Sequence, residues 1–127
     1  AALGILLAAI DADPRLAGHV AIVLTADHGG GKPFRSHTDA RAPEDFLVPF
    51  LVWAGKDREP AELLALNADR RLVVPAAEYV PIERSPAPIR NAEAGNLALQ
   101  LLGLPPIPGS TANAAQDLLL APEGPAR

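Results

Sequence analysis

A short apolar run that ends in Asp-His-Gly is the feature that most constrains this chain. Residues 20 to 24 are all apolar and rich in Val and Ile, and they predict a fully buried strand. Thr25 and Ala26 follow, and Asp27 and His28 then stand side by side before three consecutive glycines. In α/β sheets, the polar groups that act on ligands collect just beyond the carboxyl ends of the strands. The sequence therefore predicts a functional site at Asp27 and His28.

The regular elements around this run have the pattern of an α/β fold. Residues 2 to 12 and residues 91 to 103 place apolar side chains at helical spacing, and Gly103 fits a C-terminal cap. Residues 46 to 53 form a second apolar run and predict another central strand, in which Pro49 indicates that the first half lies at a sheet edge or before regular pairing begins. Helix, buried strand, loop, buried strand and helix predict an α/β class with a parallel or mixed sheet.

Less regular structure is predicted for the other segments. Residues 29 to 45 are rich in Gly, Pro and charge and predict a loop. Residues 56 to 88 contain five prolines and predict a surface excursion with a short helix at residues 59 to 66. Residues 104 to 109 predict an extended, rigid segment. Residues 116 to 120 predict a last short strand or turn of helix.

Composition limits the kinds of site that the chain can build. With 127 residues, 49% of them hydrophobic, the chain is long enough for one domain with a core. Its net charge of -4 argues against nucleic acid as the main partner, because no basic excess is present to neutralise phosphates. It has no Cys, which excludes disulfides and thiolate metal sites. No apolar run approaches the roughly 20 residues that a membrane-spanning helix needs.

The Asp27-His28 pair has the chemistry of a metal site. Carboxylate oxygen and neutral imidazole nitrogen are ligands that suit Zn²⁺ or Mn²⁺. Adjacent residues can bind one ion only if the backbone leaves the pleat at once, and Gly29 to Gly31 permit that turn. A cation would also offset the cost of burying a carboxylate beside an imidazole. From these residues alone, an Asp that caps a turn beside a loop His is an equally good interpretation.

A second histidine follows in the loop after the glycines. His37 lies nine residues after His28 and just before the second strand, so the loop should return it to the same edge of the sheet. A loop His is otherwise most often a solvated surface group. Asp39 is interpreted as a turn residue or as an acceptor for His37. Lys32 and Arg35 lie on the same loop, where they would meet an anionic substrate or remain solvated.

These motifs together resemble a known family. The stretches VAIVLTADHGG, SHTD and FLVPFLVWAG resemble the alkaline phosphatase superfamily, above all its type I phosphodiesterase/nucleotide pyrophosphatase and sulfatase-like branches. Residues 88 to 110 also resemble the C-terminal part of those enzymes. The resemblance covers nearly the whole chain, and its most specific part is the strand that ends in Asp-His-Gly, with a following His.

The resemblance implies a metal-dependent hydrolase of phosphate esters or phosphodiesters, with sulfate esters as a related class, that works through a covalent Ser or Thr intermediate. Asp27 and His28 match positions that ligate one metal, and His37 matches a ligand of the other. Two divalent cations are therefore expected, with Zn²⁺ as the first choice. Lys32 and Arg35 would face the anionic ester. The implied fold is an α/β/α sandwich with a mostly parallel central sheet.

The resemblance also implies that much of the site lies elsewhere. In the family, the nucleophile and the remaining ligands precede the strand that begins here near residue 20, and this chain has no matching positions. Residues 1 to 127 are therefore interpreted as the C-terminal segment of a single domain whose N-terminal half is absent from this sequence. A processed mature chain is the alternative. The isolated chain is expected to be inactive, and a periplasmic or extracellular location is an expectation of the resemblance.

Two other interpretations stay open. Phosphoglycerate mutase-like and phosphopentomutase-like members of the same superfamily also carry Asp-His-Gly followed by His. They have an acidic or Asn-Ala-Glu continuation after that motif, which Gly30-Gly31-Lys32 lacks, so the hydrolase branches are favoured. The other interpretation is a non-catalytic α/β fragment that binds a partner through an exposed sheet edge.

Overall fold

A computed structural model describes residues 2 to 31, 42 to 55, 59 to 70 and 87 to 121. Its regular elements, in chain order, are helix α1 (Ala2–Ala12), strand β1 (Ile22–Thr25), helix α2 (Pro43–Phe46), strand β2 (Phe50–Trp53), helix α3 (Leu63–Leu66), a 3₁₀ turn (Ala68–Arg70), a second 3₁₀ turn (Asn91–Glu93) and helix α4 (Ala94–Leu101). Within these ranges, no helix is long and apolar enough to cross a membrane.

Helix α1 has the bounds that its apolar spacing predicted. The helix ends where Pro14 follows Asp13, because proline has no N–H to continue the hydrogen-bond ladder. The Asp13 carboxylate accepts the backbone N–H of Arg15 at 2.9 Å and pairs with its guanidinium at 2.7 Å. These hydrogen bonds lower the pKa of Asp13 below its ordinary value. The helix end is thus closed locally by its own side chains.

Strands β1 and β2 form an antiparallel pair. Ile22 lies opposite Trp53, and Thr25 lies opposite Phe50. The described residues therefore form a mixed helix-and-strand fold, which agrees with the α/β class at that level. The sequence predicted a parallel or mixed sheet, and a mixed sheet can contain an antiparallel pair. The mostly parallel sandwich stays a prediction.

The strand predicted to be fully buried is half exposed. Leu24 and its cross-strand partner Leu51 are 39% and 52% exposed, so the prediction of complete burial was wrong for the described residues. Since residues directly opposite one another on neighbouring strands point to the same side of a sheet, both residues lie on one face. The described residues leave that face partly exposed to solvent. The apolar composition predicted a strand correctly, but it did not establish what covers it.

The second apolar run begins to pair at Phe50, directly after Pro49, as expected. Residues 43 to 46 form the short helix α2, where the sequence predicted the end of a loop and the start of a strand. Pro43 stands in the first turn of α2, where its missing N–H costs nothing, and Glu44 and Asp45 are favourable near the positive end of the helix.

Helix α4 follows the predicted helix after an initial 3₁₀ turn. Its C-terminus has the hydrogen bonds of a Schellman motif, from Leu104 N–H to Leu99 C=O at 2.9 Å and from Gly103 N–H to Gln100 C=O at 3.1 Å. Gly103 has a φ of 67°, which explains the glycine at this position. The predicted cap is confirmed.

The chain after α4 packs back onto the helix through side-chain amides. Asn96 accepts the N–H of Ile107 at 2.7 Å and donates to the C=O of Ala112 at 2.6 Å. Gln100 donates to the C=O of Leu118 at 3.1 Å. These amide bonds hold an irregular segment against α4. The buried apolar side chains among the described residues are Ile10, Leu97 and Leu118.

The expected strand or helical turn at residues 116 to 120 is absent from the structure, which shows no regular element there. The reason is that side chains take up its backbone groups. Gln100 binds the C=O of Leu118, and Asn67 binds both the N–H and the C=O of Leu119 at 3.0 Å. A segment whose polar backbone groups are satisfied in this way needs no strand partner.

Candidate metal-binding site at the end of strand β1

The backbone beyond β1 is held by helix α2. The N–H of Gly29 donates to the C=O of Asp45 at 2.8 Å, and the N–H of Gly31 donates to the C=O of Glu44 at 3.3 Å. A Cβ on Gly29 would lie 1.8 Å from the carbonyl oxygen of Glu44, so a side chain at this position would collide with backbone. Gly31 has a φ of 64°, whereas a Cβ on Gly30 would meet nothing within 4 Å. The first and third glycines are therefore required by geometry.

The side chains of Asp27 and His28 lie together on this turn. His28 Nε2 is 3.3 Å from Asp27 Oδ2, and the backbone N–H of His28 donates to Asp27 Oδ1 at 3.0 Å. His28 Nδ1 is 2.8 Å from the carbonyl oxygen of Gly29. Because a carbonyl can only accept, Nδ1 is the protonated nitrogen of this contact. A neutral ring in this orientation turns the Nε2 lone pair toward the carboxylate.

Two acceptors that face one another in this way need a proton or a cation between them. Zinc–nitrogen and zinc–oxygen bonds of about 2.0–2.1 Å at a tetrahedral angle place two ligand atoms about 3.3 Å apart. The observed separation of 3.3 Å between Nε2 and Oδ2 agrees with that spacing, and it also agrees with an ion pair between a protonated imidazole and the carboxylate. The side chains are 46% and 86% exposed, so an ion can reach them from solvent. The donor types and their spacing therefore fit a divalent cation.

The remaining predicted residues fall outside the part of the chain that the structure describes. His37, Lys32, Arg35 and Asp39 belong to residues 32 to 41, about which the structure says nothing. Among the described residues, no group of three or more His, Asp or Glu side chains could hold a metal ion. The described site therefore consists of the pair Asp27 and His28.

Asn91 also contributes to the site, and the sequence analysis missed it. Its side-chain N–H groups donate to the carbonyls of Ala26 at 3.0 Å and of Asp27 at 2.6 Å. With Thr25 and Ala92, these three residues line a shallow, open pocket of about 360 Å³. The available signal was an Asn at the start of a predicted helix, a position that favours capping residues. Nothing local connects it to a strand end 64 residues away.

The turn that carries Asn91 is anchored by a buried ion pair. Glu93 pairs with the guanidinium of Arg70, whose Nε donates to the C=O of Ala87 at 2.9 Å. Burial raises the pKa of the Glu93 carboxyl, although the positive charge of Arg70 opposes that rise. The pair connects the residues just before α4 to the 3₁₀ turn at Ala68–Arg70 and so fixes the position of the turn that contains Asn91.

Comparison with protein-family models, with the curated proteins and with the solved structures found no match for this chain. The family resemblance of its motifs therefore stays an expectation.

Proposed function

We propose that this chain is the metal-binding segment of a hydrolase that cleaves phosphate esters or phosphodiesters, with sulfate esters as the related alternative. The observation that carries the proposal is the 3.3 Å separation between His28 Nε2 and Asp27 Oδ2. The carbonyl of Gly29 accepts a hydrogen bond from the other ring nitrogen. Metal-ligating histidines commonly bind a backbone carbonyl in this way, which orients the ring and selects its tautomer.

Each residue has a distinct role in the proposed site. Asp27 supplies negative charge and His28 a neutral nitrogen to one divalent cation, and His37 supplies a ligand to a second. When bound, such cations polarise a phosphoryl oxygen and lower the pKa of a coordinated hydroxyl. Lys32 and Arg35 bind and orient the anionic ester. Because the ligands must lose their protons to bind metal, metal affinity falls in acid.

The Ser or Thr nucleophile and the other ligands belong, in this proposal, to polypeptide that precedes this segment. What supports this part is the exposure of apolar side chains on the sheet and on helix α1. Leu24 and Leu51 lie exposed on one face of the sheet, and Ile5 and Leu6 of α1 are 73% and 50% exposed. Further strands and helices of one larger domain would cover these side chains, and the segment alone would have no turnover.

Zinc binding by the chain tests the first step of the proposal. Zn²⁺ affinity is measured by competition with a chelating dye for the wild type and for the variants Asp27→Asn, His28→Ala and His37→Ala. Each variant should lose at least about 10-fold to 100-fold in affinity, because loss of a ligand should cost no less than loss of a residue that orients one. His19→Ala is the matched control, because His19 is exposed and precedes β1 at the opposite end from Asp27. Equal affinity in all five proteins would exclude the assignment.

Turnover by the longer protein tests the reaction class. Its hydrolysis of p-nitrophenyl phosphate, bis-p-nitrophenyl phosphate and p-nitrophenyl sulfate is measured before and after removal of metal by a chelator. We expect loss of the rate on chelation and in His28→Ala, with recovery on addition of Zn²⁺ to the wild type. Hydrolysis that survives both treatments would exclude the metal mechanism. Zinc binding without hydrolysis of any ester would favour the mutase-like or the non-catalytic interpretation.

A further inference from the structure

The side-chain amide of Asn91 makes every hydrogen bond available to its two N–H groups. One N–H donates to the C=O of Ala26 and the other to the C=O of Asp27. The side-chain oxygen accepts the backbone N–H of Ala92 at 2.9 Å. Only this orientation of the amide matches donors to acceptors, because the opposite one would set the oxygen against two carbonyls.

The two carbonyls bound by Asn91 belong to consecutive residues at the point where β1 ends. In a regular strand, successive carbonyls point to opposite sides, so one amide cannot bind both. The contacts of Asn91 therefore require that the backbone has left the pleat between Ala26 and Asp27. This departure brings the side chains of Asp27 and His28 to the same side of the chain.

We propose that Asn91 is a positioning residue for the metal site, which holds the end of β1 in the conformation that brings the Asp27 carboxylate and the His28 imidazole together. The inference rests on the proposed function for the identity of the ligand. It adds a residue on the first turn of the α4 region that determines the geometry of the strand end. Asn91 acts through the backbone and has no contact with the ion in this proposal.

Asn67 provides a matched comparison within the same chain. Its amide makes the same set of bonds, with N–H groups donating to the carbonyls of Leu63 at 2.9 Å and Leu119 at 3.0 Å and its oxygen accepting the N–H of Leu119. These partners lie in α3 and in the segment after α4, and not at the end of β1. Loss of either amide should lower stability, but only loss of the Asn91 amide should disturb the Asp27-His28 pair.

The test compares Asn91→Ala and Asn91→Asp with Asn67→Ala. Zn²⁺ affinity is measured by dye competition on protein that remains folded, as monitored by circular dichroism. We expect about 10-fold to 100-fold weaker binding in both Asn91 variants and wild-type affinity in Asn67→Ala. Asn91→Gln keeps both donors and should recover part of the affinity. Equal affinity in Asn91→Ala and Asn67→Ala would overturn the proposal.

A second measurement does not depend on metal. Nitrogen-15 NMR of the histidine rings, recorded without metal at a pH where the ring is neutral, reports which ring nitrogen of His28 carries the proton. The wild type and Asn67→Ala should show one dominant tautomer, because the ring is fixed between the Asp27 carboxylate and the Gly29 carbonyl, and Asn91→Ala should show an averaged signature. An unchanged tautomer in Asn91→Ala would overturn the positioning role. If the tautomer differs between the wild type and Asn91→Ala but the wild type binds no Zn²⁺, the proposed function fails while the positioning role of Asn91 stands.

Discussion

Helices α1 and α4 are both rich in apolar residues, but they are covered to very different extents. Helix α4 has Leu97 fully buried, and the chain after it is held against the helix by Asn96 and Gln100. Helix α1 buries only Ile10 among its described side chains and leaves Ile5 73% exposed.

The cause of the difference is the polar side chains of α4. Asn96 and Gln100 are four residues apart, so they lie on one face of the helix and reach the same segment of chain. Their amides satisfy the backbone of an irregular segment, which can then be buried. The residues of α1 before Asp11 are all apolar or glycine and offer no such bonds. The comparison teaches that the apolar face of α1 needs an apolar surface to cover it, whereas α4 binds the polar backbone of the segment that follows it.

The largest expected effect separates the two helices directly. Leu97→Ala should lower the free energy of unfolding by about 2–5 kcal/mol, because it removes a fully buried side chain and leaves a cavity. Leu6→Ala is the matched change in α1, where the side chain is 50% exposed, and it should cost less than about 1 kcal/mol. Urea unfolding followed by circular dichroism measures both. A cost at Leu6 as large as that at Leu97 would show that α1 is covered in solution.

A smaller effect is expected at the glycine turn after β1, which is held by backbone hydrogen bonds to α2 and not by buried apolar side chains. Gly29→Ala would place a Cβ against the carbonyl oxygen of Glu44, and the backbone shift should cost about 1–3 kcal/mol. Gly30→Ala meets no atom within 4 Å and should change stability by less than about 0.5 kcal/mol. Thermal unfolding of the two variants measures the difference. Equal stability of the two variants would contradict the contact between the glycine turn and α2.

The smallest effect is a difference in pH dependence between the two regions. Burial raises the pKa of Glu93 in the folded state above its ordinary value of 4.5, so folding favours the protonated form. The free energy of unfolding therefore falls as the pH rises from 4.5 through the raised pKa of the folded state. The hydrogen bonds from Arg15 lower the pKa of Asp13, so its contribution is present above 3.8 and is lost as the pH falls below it.

The variants Glu93→Gln and Asp13→Asn isolate these two contributions. Each variant is compared with the wild type by urea unfolding at a series of pH values between about 2 and 7. Relative to the wild type, Glu93→Gln should remove a decline in stability toward neutral pH, and Asp13→Asn should remove a decline toward acid. If the difference in unfolding free energy between variant and wild type changed with pH in the same direction for both variants, the opposite pKa shifts of Glu93 and Asp13 would be contradicted.

Local patterns predicted the elements whose causes are local. The bounds of α1 follow from apolar spacing and from Asp13-Pro14, and the cap of α4 follows from Gly103. The start of pairing after Pro49 follows from the missing N–H of proline. The neighbouring positions of Asp27 and His28 allowed either a metal site or a turn with a capping Asp; the structure places the two side chains 3.3 Å apart, and the metal site stays a prediction.

Distant contacts account for what the sequence analysis missed. Helix α2 and the glycine turn are joined through backbone groups, which carry no sequence signal beyond the glycines themselves. Asn91 reaches Asp27 across 64 residues, and its role at a strand end cannot be inferred from a capping position. Residues 116 to 120 form no strand because amides of Asn67 and Gln100 satisfy their backbone instead of a neighbouring strand.

The order of residues alone therefore determined helix α1, the apolar runs that form β1 and β2, helix α4 with its glycine cap, and the adjacency of Asp27 and His28. Steric preference, periodicity and capping act over a few residues, and those effects can be evaluated from the chain itself. Only the tertiary structure decided that β1 pairs antiparallel with β2, that Asn91 closes onto the carbonyls of Ala26 and Asp27, and that α4 is covered while α1 is not. Such contacts join residues far apart in the chain, and their formation depends on which polar groups meet after folding.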